Sequence, residues 1–145
     1  MNKTIRLYLF CADLNLQIYI YMKNIINVTS NAWKKMNSII LKSNNNFGLL
    51  FGVTSGGCNG FNFNLNLMDK NDYESIMKLK PNILTNDNVT LFIEPVSEIY
   101  IIGTTIDYVN EDYKKGIFEN KFTYNVDKKL ATSCGCGISF TPRNL

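Results

Sequence analysis

The stretch FGLLFGVTSGGCNGFNFNLNLM, residues 47–68, decides the fold of this 145-residue chain. Its first nine residues form a mostly apolar run that is suited to a strand. From Phe61 to Leu67 every second residue is apolar and asparagines lie between them, which is the pattern of a half-buried strand. The two runs are joined by GGCNG, a glycine-rich loop that carries Cys58. The sequence therefore predicts two neighbouring strands joined by a cysteine-bearing loop.

A helix is predicted immediately upstream, in NVTSNAWKKMNSIILKSNNN, residues 27–46. Thr29 or Ser30 can cap its N-terminus. With Thr29 as the cap, Val28 and Trp33 occupy the two positions of a hydrophobic staple. Apolar residues recur at helical spacing at positions 32, 36, 39 and 40, and three asparagines then stop the pattern. We predict a helix over residues 30–42 with one buried face.

Downstream the sequence is again strand-rich. NVTLFIEP (88–95) and KFTYNV (121–126) read as strands, and EIYIIGTTIDYV (98–109) reads as a strand pair or as a strand bent at Gly103. DKNDYESIMKLKPN (69–82) is predicted to be an excursion or a short helix, and the tail from Asp127 is predicted to be flexible. We expect an extension over residues 1–26 and one compact α+β domain over 27–145, with a single N-terminal helix.

Composition excludes several classes of function. A formal net charge of +3 without any block of like charges gives no sign of a nucleic-acid surface. The chain has no histidine, so mechanisms of the Ser-His-Asp or Cys-His type and metal sites that need imidazole from this chain are excluded. Any bound metal must be held by sulfur or oxygen.

Four cysteines occur, Cys11, Cys58, Cys134 and Cys136, and the last two lie in SCGCGISF, residues 133–140. Their thiols could bind a metal, form disulfides or simply occupy turns, since free cysteines are among the most buried residue types. Polar residues interrupt the apolar run of residues 1–24, which is therefore neither a convincing signal peptide nor a membrane span. We expect a reducing compartment, cytoplasmic or mitochondrial, and no secretion.

As ligands, the glycine-flanked Cys58, Cys134 and Cys136 would supply soft thiolates suited to zinc, Cu(I) or an iron–sulfur cluster. A tetrahedral zinc site and a typical iron–sulfur cluster each need four ligands. Three thiolates per chain therefore indicate a centre shared by two chains, or one with an open position for exchange.

GVTSGGCNGFNFNL (52–65) and SCGCGISF together resemble the A-type iron–sulfur carrier proteins, the HesB/IscA family. The family's signature is a glycine-flanked cysteine in mid-domain and a Cys-Gly-Cys-Gly pair near the C-terminus, followed by Ser-Phe. IEPVSEIYIIGTTIDYV (93–109) and FTYN (122–125) resemble further family segments in the same order. The departures are Glu94 in place of Asp, Val126 in place of Pro, a longer segment around 69–85, and residues 1–26 outside the pattern.

The resemblance implies a carrier rather than an enzyme. It implies that Cys58, Cys134 and Cys136 bind iron or a [2Fe-2S] or [4Fe-4S] cluster, which is then delivered to apo iron–sulfur proteins with the help of cluster-assembly proteins. It also implies a homodimer or a heterodimer with a related A-type protein, without nucleic acid or membrane as a partner. Two other functions stay open at this stage: a thiol redox protein that uses the Cys134–Cys136 pair, and a structural zinc module.

Overall fold

The computed structural model describes residues 25–44, 47–56, 60–129, 131–133, 135 and 137–143. In chain order its elements are β1 (Asn27–Val28), α1 (Ser30–Ser43), β2 (Leu49–Ser55), β3 (Phe61–Leu67), α2 (Lys70–Lys78), β4 (Asn82–Asn86), β5 (Val89–Ile93), α3 (Glu98–Ile101), β6 (Thr105–Val109), a 3-10 turn (Tyr113–Lys115), β7 (Lys121–Asn125), β8 (Ala131–Ser133) and β9 (Ser139–Pro142). The predicted α+β class and its strand-rich character are confirmed. The expectation of a single N-terminal helix is wrong, since α2 and α3 follow α1. No helix within these ranges is both long enough and apolar enough to cross a membrane.

The strands form two sheets. Six strands lie in the order β4-β5-β2-β3-β9-β8, and three in the order β1-β6-β7. The two strands predicted from residues 47–68 pair antiparallel along their whole length, from Leu49 opposite Leu67 to Ser55 opposite Phe61. β2 also pairs parallel with β5, and β3 pairs antiparallel with β9. The stretch that opened the sequence analysis therefore lies at the centre of the larger sheet.

Helix α1 begins as the sequence predicts. The Thr29 hydroxyl accepts a hydrogen bond from the backbone N–H of Ala32 at 3.2 Å and donates to the Asp107 carboxylate at 2.5 Å. The cap therefore also ties the start of α1 to β6, and Asp107 has a structural role. Ala32, Met36 and Ile40 form the buried face of the helix.

Aromatic rings join the two sheets. Tyr124, on β7, stacks on Phe51 at 5.5 Å and on Phe63 at 4.9 Å between ring centroids. Phe140, on β9, stacks on Phe63 at 4.5 Å. All four rings belong to the main buried core, which also includes the apolar face of α1. Their contacts hold β7 against the centre of the larger sheet.

The segment around 69–85 forms a second, smaller core. Helix α2 has a capping box in which Asp69 and Asp72 each accept a backbone N–H from the other's residue. Ile76 of the helix packs with Met68 and with Phe92 of β5. The short helix predicted as one of two alternatives for this segment is thus present.

Two predictions about local structure are wrong. Residues 98–101 form helix α3 rather than a strand, and only Thr105–Val109 form strand β6. Residues on both sides of the Cys134–Cys136 pair form the hairpin β8–β9 at the edge of the larger sheet, where a flexible tail was expected. The extension over residues 1–26 stays a prediction, since residues 1–24 lie outside the described ranges, although Ile25 and Ile26 already lie in the core.

A buried serine fixes α3 to β2. The Ser97 hydroxyl accepts a hydrogen bond from the backbone N–H of Val53 at 2.9 Å and donates to the Glu94 carboxylate. A β-carbon at position 52 would lie 3.0 Å from the Ser97 hydroxyl oxygen and would also collide with the Glu94 carboxylate. The absence of a side chain at Gly52 therefore leaves room for the two hydrogen bonds of the Ser97 hydroxyl, which together form the Ser97 clasp.

We expect Ser97→Ala to lower the free energy of unfolding by about 1–3 kcal/mol, because it leaves the N–H of Val53 without its acceptor. Urea unfolding followed by circular dichroism measures the change. Ser43→Ala is the matched control, because the Ser43 hydroxyl only donates to the carbonyl of Ile40 at the end of α1. Equal stability of the two variants would contradict the role given to Ser97.

Burial raises the pKa of the Tyr124 phenol to about 12, from an ordinary value of 10.0. Between these values the unfolded chain loses the phenolic proton and the folded chain keeps it, so the stability present below pH 10 is lost as pH rises toward 12. We expect this group to reduce the free energy of unfolding by about 2–3 kcal/mol over that interval.

The measurement is urea unfolding of the metal-free protein between pH 9 and pH 12, with Tyr124→Phe as the test variant. Tyr124→Phe should lose part of the pH dependence, whereas Tyr113→Phe, which alters an exposed ring, should keep all of it. Superimposable pH profiles for wild type and Tyr124→Phe would show that the Tyr124 phenol does not cause the loss.

Candidate metal centre

The three cysteines predicted to bind the metal, Cys58, Cys134 and Cys136, lie outside the described residues, as does Cys11. Gly56 and Gly60 are the described residues nearest to Cys58, and Ser133, Gly135 and Gly137 are described around the other two cysteines. They show which elements anchor the two cysteine-bearing segments. Each segment emerges from a strand of the larger sheet and returns to one.

The Cys58 segment connects β2 to β3. Ser55 and Phe61 are the last cross-strand pair, and beyond them the N–H of Gly56 donates to the carbonyl of Gly60 at 2.8 Å. Gly56 has φ +130° and Gly60 has φ +97°. Residues with a side chain rarely adopt these values, so both positions favour glycine.

The Cys134–Cys136 segment connects β8 to β9. Ser133, immediately before Cys134, pairs with Phe140, and the chain returns through Gly137 at φ +75°. The carbonyl of Gly137 accepts a hydrogen bond from the N–H of Tyr124 on β7 at 3.2 Å. This segment is therefore anchored to both sheets.

The two segments are anchored on neighbouring strands. Phe140 pairs with Phe61 on one side and with Ser133 on the other, so these three residues form one row across β3, β9 and β8. With strands about 4.8 Å apart, the row spans roughly 10 Å from Phe61 to Ser133. Each end of the row is close in sequence to a predicted ligand.

The described backbone does not by itself close the two segments on one centre. The loop of Cys58 precedes Phe61, whereas the carbonyl of Ile138 accepts from the N–H of Phe63, further along β3 in the opposite direction. β3 and β9 therefore place the described ends of the two segments on adjacent strands, and the thiols themselves lie outside the described residues.

The surroundings carry little charge. In strands β3, β8 and β9 every residue is uncharged. Arg143, just after β9, places its Nε 3.5 Å from the hydroxyl oxygen of Thr132, so one positive charge lies beside β8. Across the described ranges no three His, Cys, Asp or Glu side chains gather in a way that could hold a metal ion. The predicted cysteines are therefore the donors to consider.

Sequence reasoning missed two residues at this site. Tyr100 of α3 stacks on Phe61, with ring centroids 4.9 Å apart. Tyr100 was not identified from the sequence, because the apolar run around it was assigned to a strand. Arg143 could not be identified from the sequence, because no local pattern indicates that the residue after β9 contacts Thr132.

Comparison with known proteins indicates the same family as the cysteine motifs. A family model described as iron–sulphur cluster biosynthesis matches residues 24–138. The iron–sulfur cluster insertion protein ErpA of Ruthia magnifica is 34% identical over 114 residues, which cover 78% of this chain and 87% of the relative.

Two solved structures share the fold. The crystal structure of Escherichia coli SufA, a protein involved in the biosynthesis of iron–sulfur clusters, matches with a TM-score of 0.57 and 26% identity over 79% of this chain and 90% of its own. The crystal structure of IscA with a [2Fe-2S] cluster matches with a TM-score of 0.58 over 83% of this chain and 99% of its own, and at 15% identity it supports the fold alone. The chain belongs to the iron–sulphur cluster biosynthesis family, as an A-type carrier of the HesB/IscA group.

Proposed function

We propose that this chain binds an iron–sulfur cluster through the thiolates of Cys58, Cys134 and Cys136 and transfers it to apo-proteins. The observation that carries the proposal is the row formed by Phe61, Phe140 and Ser133, which anchors the cysteine-bearing segments on neighbouring strands. Family membership supplies the class of cargo, and the lack of histidine leaves thiolate as the available soft donor.

Transfer proceeds by ligand exchange. A cysteine thiolate of the recipient takes a coordination position on the cluster, one thiolate of this chain leaves, and the released sulfur takes up a proton. Three thiolates per chain leave a fourth position that a second chain or the recipient can fill. No bond of a substrate is made or broken catalytically, so the protein acts as a stoichiometric carrier rather than an enzyme.

The partners follow from the same chemistry. Recipients are apo-proteins with free cysteines, and the donor is an assembly protein that hands over a preformed cluster. A second copy of this chain or a related A-type chain would complete the ligand set. Thiolates of this kind survive in a reducing compartment, cytoplasmic or mitochondrial, where disulfides do not compete.

The ligand set is tested by reconstituting the full chain with iron and sulfide without oxygen. We expect wild type to gain visible sulfur-to-iron absorption and the triple variant Cys58→Ser/Cys134→Ser/Cys136→Ser to stay near background, because a serine hydroxyl is a poor soft donor. The visible spectrum, read together with iron and sulfide counts on the same samples, gives the cluster type.

Cys11→Ser is the matched control, because it removes a thiol that the proposal does not use. It should reconstitute like wild type and should pass its cluster to an apo-ferredoxin, followed by the recipient's spectrum. Undiminished absorption in the triple variant would refute the ligand assignment. Tightly bound zinc that iron and sulfide never displace would instead support a structural metal site.

A further inference from the structure

Strand β4 is an open edge of the six-stranded sheet. Within the described ranges it pairs with β5 on one side and with no strand on the other. An edge strand presents a row of backbone N–H and C=O groups with which another chain can pair. The opposite edge, β8, has only three residues, whereas β4 has five. Of these two edges, β4 is therefore the one better able to extend the sheet.

The hairpin β4–β5 determines which backbone groups of β4 point outward. Asn86 and Val89 flank its two-residue turn and lie opposite each other. In such a hairpin the flanking residues bond to each other, and along an antiparallel pair every second residue repeats this bonding. The N–H and C=O groups of Ile83 and Thr85 therefore point away from β5, toward the open edge.

Strand β4 lacks the features that commonly block an edge. Its residues, Asn82–Asn86, include no charged side chain and no proline, and its register with β5 has no bulge. Ile83 lies opposite Phe92, whose ring packs with α2, so Ile83 is on the α2 face of the sheet. The Ile83 side chain is 46% exposed there. An exposed apolar side chain thus accompanies the outward-pointing backbone groups.

We infer that β4 is the contact surface for a second copy of this chain. The two β4 strands run antiparallel about a two-fold axis that passes beside Leu84. Ile83 of each copy then lies opposite Thr85 of the other, and each such pair exchanges both of its backbone hydrogen bonds. This register uses every outward-pointing backbone group of β4, and the two sheets become one continuous sheet.

The charges at the two ends of β4 favour this arrangement. Lys80 precedes the strand and Asp87 follows it, and both are exposed and take no part in the described ion pairs. In the antiparallel register Lys80 of each copy lies beside Asp87 of the other. A parallel arrangement would instead bring Lys80 beside Lys80. Exposed ion pairs add little affinity, but they select the orientation in which two strands meet.

The β4 contact leaves the cysteine-bearing side of the sheet free. Strand β9 lies four strand spacings from β4, so the two β9 strands of the dimer are about 43 Å apart in an untwisted sheet. Two chains joined at β4 therefore cannot bring their cysteine-bearing segments to one cluster. The contact is separate from the exchange of cargo, and the inference does not rest on the proposed function.

The first test is sedimentation velocity of the metal-free full chain, in the presence of a reductant, over a dilution series. Wild type should change from dimer to monomer on dilution. Thr85→Pro removes the outward N–H of residue 85 from each copy and keeps the bonds to β5, so the dissociation constant should rise about 10- to 100-fold. Thr85→Ala is the matched control, because it keeps the N–H and should stay within about twofold of wild type.

Three results of the sedimentation experiment would each overturn the inference. They are a wild type that is monomeric at every concentration, the same dissociation constant for Thr85→Pro and wild type, and equal weakening by Thr85→Ala and Thr85→Pro. Circular dichroism should give the same spectrum for both variants, since residue 85 directs no backbone bond to β5. If Thr85→Pro does not fold, the register of the two strands decides the matter by itself.

Disulfide trapping measures that register. Leu84 lies beside the two-fold axis, so Leu84→Cys places two thiols opposite each other, with β-carbons about 4.5–5.5 Å apart. Oxidised glutathione should then link position 84 of the two copies, as read by mass spectrometry of the joined peptides. Ile83→Cys is the matched control and should link to itself far less, because residue 83 lies opposite Thr85. Equal linkage at the two positions, or none at position 84, would contradict the β4 contact.

The triple variant Cys58→Ser/Cys134→Ser/Cys136→Ser separates this inference from the proposed function. It should dimerise like wild type, because the β4 contact uses no thiol. Dimers that form only after reconstitution and are lost in this variant would overturn the β4 contact and favour a centre shared by two chains. If the β4 dimer forms and wild type takes up no cluster, the proposed function fails alone.

Discussion

The contact of Tyr124 with Phe51 and Phe63 is the interaction on which the rest of the structure depends. It joins the three-stranded sheet to the centre of the six-stranded sheet, and the same group of rings includes Phe140. Each aromatic pair adds about 0.5–1.5 kcal/mol beyond the burial of its area. Because Phe63 and Phe140 lie on the two strands that follow the cysteines, the group of rings that builds the core also fixes where the two cysteine-bearing segments end.

The Thr29 cap and the Ser97 clasp also fix helices to the sheets. Thr29 ties α1 to β6 through Asp107, and Ser97 ties α3 to β2 through the N–H of Val53. Both are single hydroxyl groups that bridge elements far apart in sequence. A buried donor without its acceptor costs more than the bond itself contributes, so such bridges select one arrangement of helices and sheets.

The elements with local signals could be predicted from the sequence. The alternation from Phe61 to Leu67 and the Thr29 cap depend on neighbours within a few residues, and both predictions are confirmed. The run IYII was misassigned because its branched and aromatic side chains favour strands, whereas its first three residues belong to helix α3, which the Ser97 hydroxyl ties to β2. Strands β8 and β9 are three and four residues long, and β9 pairs with β3, some 80 positions earlier, so this hairpin leaves little local pattern. The cysteines were identified by motif, and Tyr100 could only be found once α3 was placed beside Phe61.

A carrier must hold its cargo firmly enough to protect it and loosely enough to release it. In this chain the rigid support is the row of paired residues across β3, β9 and β8. The stacking of Phe140 on Phe63 joins this row to the core. Gly56, Gly60 and Gly137, at the described ends of the two cysteine-bearing segments, adopt backbone angles that side chains disfavour. The chain therefore leaves the sheet at positions that only glycine occupies without strain. The exchange of cargo that a carrier requires can take place beyond the paired row, so the strands need not separate when the cargo is passed on.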